Sequence, residues 1–391
     1  MPRIRPALRI VLLVLLCLAA SLAQARVRIG VATMAPGEEY WSRFGHNAVV
    51  VDDPSAGGPL MYNYGFFDFE EPGFLVNFLK GKMEYLLVAL PAEEDLLNYA
   101  YEGRGVRLQW LDIEPEAAAG LAQFLAWNAQ PENARYRYDY FTDNCSTKVR
   151  DAIDRALGGL LEARLDDAPR TTTYRSEALR LGQPTAWLAL GMHFGLGPYA
   201  DRPLTRWDES FVPSRLHDAL REATTPRGTP LVLEEVELVP HRIAPEPAAP
   251  PQWLWRFLGV GLVVAALILL LRARAPRAIA AAAAAYWAVA GLAGLWLAAL
   301  WGLTDHVAGW SNANLLLASP LALALVPGAL VRARGRAAGA AFATALALVT
   351  LMAVAAAVLA ATPWGVQDNV DWIALLLPVQ LAFDVALRRP R

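Results

Sequence analysis

The sequence predicts an exported α+β domain followed by an all-α membrane domain of five helices. Three observations predict it: a signal-peptide pattern at the start, five long apolar stretches after residue 250, and a mixed segment between them where strand-like and helix-like runs alternate. The chain has 391 residues, two to three times the ~150-residue scale of one domain, so at least two units are expected. Hydrophobic residues make up 55% and charged residues 18%, against roughly 25% charged in an average soluble protein, which excludes disorder as the organising state. A net charge of -2 gives no electrostatic reason for a nucleic-acid partner. Two cysteines, Cys17 and Cys145, rule out a disulfide framework. Low-complexity tracts are limited to alanine-rich apolar runs, with no repeat at solenoid spacing.

The first element is the signal peptide, residues 1–25. Arg3, Arg5 and Arg9 form a basic start, residues 10–22 are apolar, and Ala23-Gln24-Ala25 supplies small residues for cleavage after Ala25. Cys17 follows Leu16, not the small residue of a lipoprotein signal, and leaves with the peptide. An uncleaved anchor would export the next segment just the same. The mature chain then carries Cys145 alone in an oxidising compartment, without an internal partner.

The segment 26–250 is the exported domain, roughly 225 residues and enough for one substantial core. Its first clear strand is 47–51, after Phe44-Gly45-His46, and 52–59 has loop composition. The aromatic-rich run 60–67 pairs antiparallel with it. Further along, 82–90 reads as a strand, 92–102 as a short helix, 106–111 as a strand and 114–128 as an amphipathic helix. After Tyr136-Arg137-Tyr138-Asp139-Tyr140-Phe141-Thr142-Asp143-Asn144, residues 146–157 place Val149, Ile153, Ala156 and Leu157 on one helical face.

The chain changes character at Ala249-Pro250-Pro251, where the membrane domain (251–391) begins. Its apolar stretches are 253–271, 278–300, 315–331, 337–361 and 372–387, each near the ~20 residues that cross a bilayer. Arg272, Arg274 and Arg277 follow the first, Arg332, Arg334 and Arg336 the third, and Arg388, Arg389 and Arg391 the fifth. The loops 304–314 and 363–371 contain no Lys or Arg. Positive charge stays inside, so these three spans end in the cytoplasm and residues 26–250 lie outside it, in agreement with the signal peptide.

A histidine at a strand start and a cysteine at a helix start carry the candidate chemistry. Cysteine attacks as thiolate, which helix N-terminal N–H groups and the dipole stabilise, so a lowered thiol pKa is expected. Asp143 or Asn144 can cap the helix, leaving Cys145 in its first turn. His46 on a facing strand could take the proton, and the Cys145 N–H could help to bind an oxyanion. Read as plain structure, Cys145 is a buried core thiol and His46 a hydrogen-bonded core histidine.

Three motifs extend this reading: Trp41-Ser42-Arg43-Phe44-Gly45-His46-Asn47, Tyr62-Asn63-Tyr64-Gly65-Phe66-Phe67-Asp68, and Thr142-Asp143-Asn144-Cys145-Ser146-Thr147. They resemble the extracytoplasmic domain of the Lnb-type lipoprotein intramolecular transacylases. The order of His and Cys is similar to the circularly permuted papain-like fold of lecithin retinol acyltransferase relatives and the NlpC type. The resemblance implies His46 and Cys145 as catalytic residues, with Asn63 as the third polar residue that orients the histidine, where the acyltransferase relatives commonly have a His. Ser42, Arg43 and Asn47 beside His46 become substrate-binding candidates. The reaction implied is acyl transfer on diacylglyceryl lipoproteins at a membrane: the thiolate takes a lipid acyl chain as a thioester and passes it to the amine of the N-terminal cysteine. No cofactor is implied.

Other polar residues carry weaker signals. Asp305, His306, Asn312 and Asn314 lie in the first outward loop and are candidates for binding a headgroup or positioning the acceptor, or simply a hydrated loop. Asp384 is spaced to pair with Arg388, i to i+4. His193, His217 and His241 lack ligand-like spacing, so no metal site is expected. Arg175 fits a structural role or a phosphate contact equally, and Trp253 and Trp255 read as interface anchors. Two rival functions use the same residues: a membrane-tethered cysteine hydrolase acting on peptidoglycan peptides or lipid esters, and a non-catalytic envelope sensor or assembly protein, for which Cys145→Ala would retain function.

Overall fold

In a computed structural model of the chain, residues 26–166 and 169–388 are described. The signal peptide with Cys17, and Arg389 and Arg391, lie outside the described residues.

The N-terminal domain is mixed α/β, built on a seven-stranded antiparallel sheet of order β6-β4-β3-β2-β1-β5-β7. The strands are β1 Arg28–Met34, β2 His46–Asp52, β3 Leu60–Phe66, β4 Glu84–Pro91, β5 Val106–Leu111, β6 Arg135–Arg137 and β7 Val232–Val239. The expected antiparallel pairing of the second and third is present, with Ala48 opposite Asn63. Three strands were not expected: β1, the short edge strand β6 and β7. β1 is central, pairing with both β2 and β5, and its continuous apolar run lacks the alternation that marks a half-buried strand. β7 is an exposed edge whose Leu-Glu-Glu-Val-Glu-Leu run suits neither template, and the glutamates protect that edge from pairing with other chains.

The pleat sorts side chains to two faces. On one, Val31, Val49, Tyr62, Tyr64 and Leu87 pack against helices Pro115–Asn128 and Cys145–Ala156 through Leu121, Leu125, Val149 and Ile153. On the other, Ala32, Met34, Ala48, Val50, Met61 and Leu108 pack against Leu96, Tyr99 and Ala100 of helix Ala92–Tyr101. Helices Tyr174–Gly182, Ala186–Gly195 and Pro213–Glu222, also not expected, build a smaller unit between sheet and membrane domain. Arg175 is structural there. Its guanidinium is buried in a bidentate pair with Asp201 (2.7 and 2.9 Å) and donates to the carbonyls of His193, Leu196 and Gly197.

Five segments are long and apolar enough to cross a membrane: Leu254–Leu271, Pro276–Leu303, Ala313–Ala333, Ala340–Ala360 and Val370–Leu387. The third begins as 3₁₀ turns, Ala313–Leu316 and Pro320–Ala324, before helix Leu325–Ala333, because Pro320 cannot continue a preceding helical ladder. The expected Asp384–Arg388 pair forms at 2.7 Å. It closes a polar chain in which Trp287 bonds Gln380, Gln380 bonds Thr350, and Thr350 bonds Asp384.

The outward loops fasten the two domains together. Asn312 Nδ2 reaches the carbonyls of Phe194, Gly195 and Leu196, Asn314 Nδ2 that of Phe194, and Gln367 Nε2 that of Leu196. His193 pairs with Asp371 at 3.1 Å. The other two histidines are also engaged within the domain: His217 between Asp218 and Glu235, and His241 accepting the Gly105 N–H.

Candidate active site

His46 opens β2 directly after Gly45, whose φ of 75° and the 2.9 Å between a notional Cβ and the Met34 carbonyl admit only glycine. The register puts His46, Ala48 and Asn63 on the face covered by helix Ala92–Tyr101. Cys145 arrives from the opposite face, as the first residue of helix Cys145–Ala156. The two residues come together only where strand and helix both begin, at the end of the sheet. There the backbone N–H of Asn47, the residue after His46, acts on the Cys145 sulfur, and one cation, Arg104, acts on both side chains.

The cap of the cysteine helix is Asn144. Its Oδ1 accepts the Thr147 N–H at 2.9 Å, Thr147 Oγ1 accepts the Asn144 N–H at 2.8 Å, and its Nδ2 donates to the carbonyls of Tyr140 and Phe211. Asp143 instead pairs with Lys148 at 2.6 Å. Ser146 ties the helix to β2: its hydroxyl lies 2.8 Å from Asn47 Oδ1 and 2.7 Å from the Ser210 carbonyl. Across from Cys145, Gly65 occupies a bulge in β3 with φ 97°, and a Cβ there would lie 3.5 Å from that of Cys145.

A polar relay stands behind His46. Its Nε2 is 3.0 Å from Asn63 Oδ1, and Asn63 Nδ2 is 2.8 Å from Asp95 Oδ2. A carboxylate accepts only, so the Asn63 amide must turn its NH₂ to Asp95 and its carbonyl to the ring. Nε2 therefore carries the proton in the neutral imidazole, and Nδ1 holds the free lone pair. Burial, partly offset by the Asn63 bond and reinforced by Arg104, lowers the His46 pKa to about 4. The ring is neutral at neutral pH, as a proton acceptor must be.

The thiol departs from expectation. Burial pushes the Cys145 pKa up, against the N–H groups of Asn47, Ser146 and Cys145 itself and the charge of Arg104. The helix start does stabilise negative charge, but the desolvation of a half-buried sulfur outweighs it. The resting pair is thiol and imidazole, not thiolate and imidazolium. Alkylation of Cys145 by iodoacetamide, followed by peptide mass, is therefore expected to rise with pH to a midpoint above the ~8.5 of a free cysteine, and to run slower in native than in unfolded protein near neutrality. A midpoint below that value would mean that the dipole wins.

Asp95 and Arg104 were not singled out from sequence. Asp95 sits in the run Glu93-Glu94-Asp95, which reads as ordinary first-turn acid, yet it is buried against the sheet, and burial raises its pKa. Arg104, between two glycines, is 6% exposed; Nε donates to the Ala35 carbonyl, Nη1 to Glu102, and Nη2 is buried without a partner. Ser42 and Arg43 bond within their own loop, to the carbonyls of Glu39 and Gly37. Asn312 and Asn314 are spent on the domain junction described above. Asp305 pairs with Arg137 at 2.9 Å, and His306 bonds the Phe78 carbonyl and stacks on Tyr140, two residues from the half-buried Tyr138.

An antiparallel α/β domain with a Cys–His corner, hydrogen-bonded onto a bundle of five membrane-capable helices, defines a membrane-anchored protein. The family models agree on both halves. The Lnb N-terminal periplasmic domain matches residues 18–178 and the Lnb transmembrane domain residues 250–387. The chain belongs to the Lnb family, and it is a multi-pass inner-membrane protein with a periplasmic N-terminal domain. No curated protein and no solved structure matches it.

Proposed function

We propose that this protein is a membrane-bound thiol acyltransferase that carries a lipid acyl chain on Cys145 to the N-terminal cysteine amine of a lipoprotein. The observation that carries the reading is the relay Asp95–Asn63–His46, which leaves Nδ1 as the basic nitrogen at the corner where Cys145 begins its helix. The order of histidine strand and cysteine helix is that of the permuted papain-like arrangement, which belongs to the same proposal. Membership of a family named for a periplasmic and a transmembrane domain supports a substrate drawn from the membrane.

In the first step the Cys145 sulfur attacks an acyl ester carbonyl of the diacylglyceryl group while His46 Nδ1 takes the thiol proton. The S–C bond forms, the oxyanion is stabilised by the backbone N–H groups around the sulfur, and the C–O bond breaks as His46 returns the proton to the glyceryl oxygen. In the second step the acceptor amine attacks the thioester, an N–C bond forms, the S–C bond breaks, and the amine proton passes through His46 to the sulfur. A thiol that starts protonated needs its base within the transition state itself, which suits a neutral imidazole of low pKa.

The test uses full-length protein in bilayers with a diacylglyceryl lipopeptide and intact-mass analysis. An acyl adduct on Cys145 that hydroxylamine removes, together with an N-acylated lyso product, is expected. Release of free fatty acid without the N-acylated product would make the protein a hydrolase instead.

A further inference from the structure

Helix Phe74–Leu79 buries none of its six residues, and five of them are Phe, Leu or Val. Leu75 is 65% and Leu79 60% exposed, and Phe66 at the end of β3 and Phe69 in the turn that follows are exposed as well. In water this would be an uncompensated apolar patch. What covers it follows from where it is fastened. The Asp305 N–H donates to the Lys80 carbonyl at 2.8 Å, His306 Nε2 lies 2.9 Å from the Phe78 carbonyl, and Arg137 bridges the Gly81 carbonyl and Asp305. Gly81 is pressed so closely that a Cβ would sit 2.7 Å from the His306 nitrogen.

Asp305 comes two residues after Leu303, the last residue of the second span. A six-residue helix is about 9 Å long, and the headgroup zone on each side of the hydrocarbon is about 5–8 Å deep. The helix is thus pinned by its C-terminal end at the membrane boundary, and its length, close to the depth of that zone, keeps its apolar residues near the bilayer. Lys80 and Lys82, both exposed at that end, put cations at headgroup height.

Behind the helix the rings continue inward. Phe74 stacks on Phe67 (5.8 Å), Phe67 on Tyr85 (5.0 Å), and Tyr85 lies 4.3 Å from Tyr138; on the other side Phe78, His306, Tyr140 and Tyr138 follow at 6.4, 6.0 and 5.9 Å. Two residues before Tyr138, the Tyr136 hydroxyl is buried without a hydrogen-bond partner and lies 3.9 Å from the Cβ position of Gly65, which is itself 3.5 Å from the Cys145 Cβ.

We propose that helix Phe74–Leu79 and the turn before it are seated in the outer leaflet of the bilayer, and that a lipid acyl chain leaves the leaflet along this aromatic wall to reach Cys145. The seating stands by itself; the acyl path rests on the proposed thioester function. The test labels Val76→Cys with an NBD fluorophore in full-length protein carrying Cys17→Ser and Cys145→Ser, in nanodiscs with and without doxyl-labelled lipid. Blue-shifted emission quenched by the lipid nitroxide is expected at position 76, and neither at the loop control Ala56→Cys. Water-like, unquenched emission at position 76 overturns the seating. In protein retaining Cys145, Leu75→Glu with Leu79→Glu is expected to slow acylation of Cys145 from bilayer lipid by about tenfold or more while iodoacetamide alkylation is unchanged. A seated helix with undiminished acylation in that variant overturns the path. Wild-type protein that never gains an acyl group on Cys145 overturns the thioester function and the path with it, leaving the seating measurement intact.

Discussion

Cys145→Ala and His46→Ala are each expected to lower formation of N-acylated lipopeptide by at least about 10³-fold, because nucleophile and base act as one unit. The double variant should then be hardly slower than either single one. Asn63→Ala should cost less, about 10- to 100-fold, since it orients the ring without supplying a reacting atom. It should also shift the pH profile. The Asn63 bond raises the His46 pKa against burial, so its loss moves the acid limb of kcat/KM from about 4 to a lower pH. Wild-type protein binds a proton at His46 only below about 4, whereas the unfolded chain does so near 6.5. Stability from this residue is therefore full above 6.5 and is lost as pH falls toward 4. Product formation from a diacylglyceryl lipopeptide in proteoliposomes, quantified by mass spectrometry, measures the rates. Additive losses in the double variant would separate His46 from Cys145, and an N-acylated product from Cys145→Ala would end the thioester mechanism.

The elements that carry these residues were legible because local chemistry fixes them. Gly45 before His46 marks a strand entry, Asp143-Asn144 before Cys145 offers a helix cap, which the structure assigns to Asn144, and the aromatic run of β3 pairs with β2. What sequence could not supply is which face each residue takes. His46 and Cys145 come from opposite faces of the sheet, and only the register of β1, β2 and β3 brings them to one end. β1 escaped notice because a central strand is apolar throughout, and with it went the frame against which Asp95 is seen to point inward. The sign of the Cys145 shift failed for a related reason. A helix start can be read from sequence, but the desolvation that overrides it comes from distant parts of the chain.

Arg175→Met is expected to destabilise the periplasmic domain by about 3–5 kcal/mol, the cost of stranding one member of a buried ion pair. The guanidinium is 1% exposed, and Asp201 would be left as an uncompensated carboxylate in a buried site. The loss extends further than the pair, since the same group satisfies the carbonyls of His193, Leu196 and Gly197. That loop is also where the membrane domain holds on. Asn312 and Gln367 donate to the Leu196 carbonyl from the outward side, and a Cβ on Gly197 would sit 2.1 Å from the Trp310 carbonyl oxygen. Arg175 thus shapes from within the surface that Asn312 and Gln367 grip from without. For a domain of this size, 1 kcal/mol shifts Tm by about 2–4 °C, so a fall of roughly 6–20 °C should appear in thermal unfolding of the full-length protein. Adding Asp201→Leu removes the stranded charge but not the stranded carbonyls, so it should restore only part of the loss. Asn312→Ala should be milder, because Asn314 and Gln367 still bond the 194–196 carbonyls. Full recovery in the Arg175→Met, Asp201→Leu variant would show that charge alone was at stake and that the loop holds its shape without the guanidinium. Partial recovery, with the periplasmic domain more open to protease near residue 196, would show that Arg175 also sets the junction that holds the Cys145 site at the membrane.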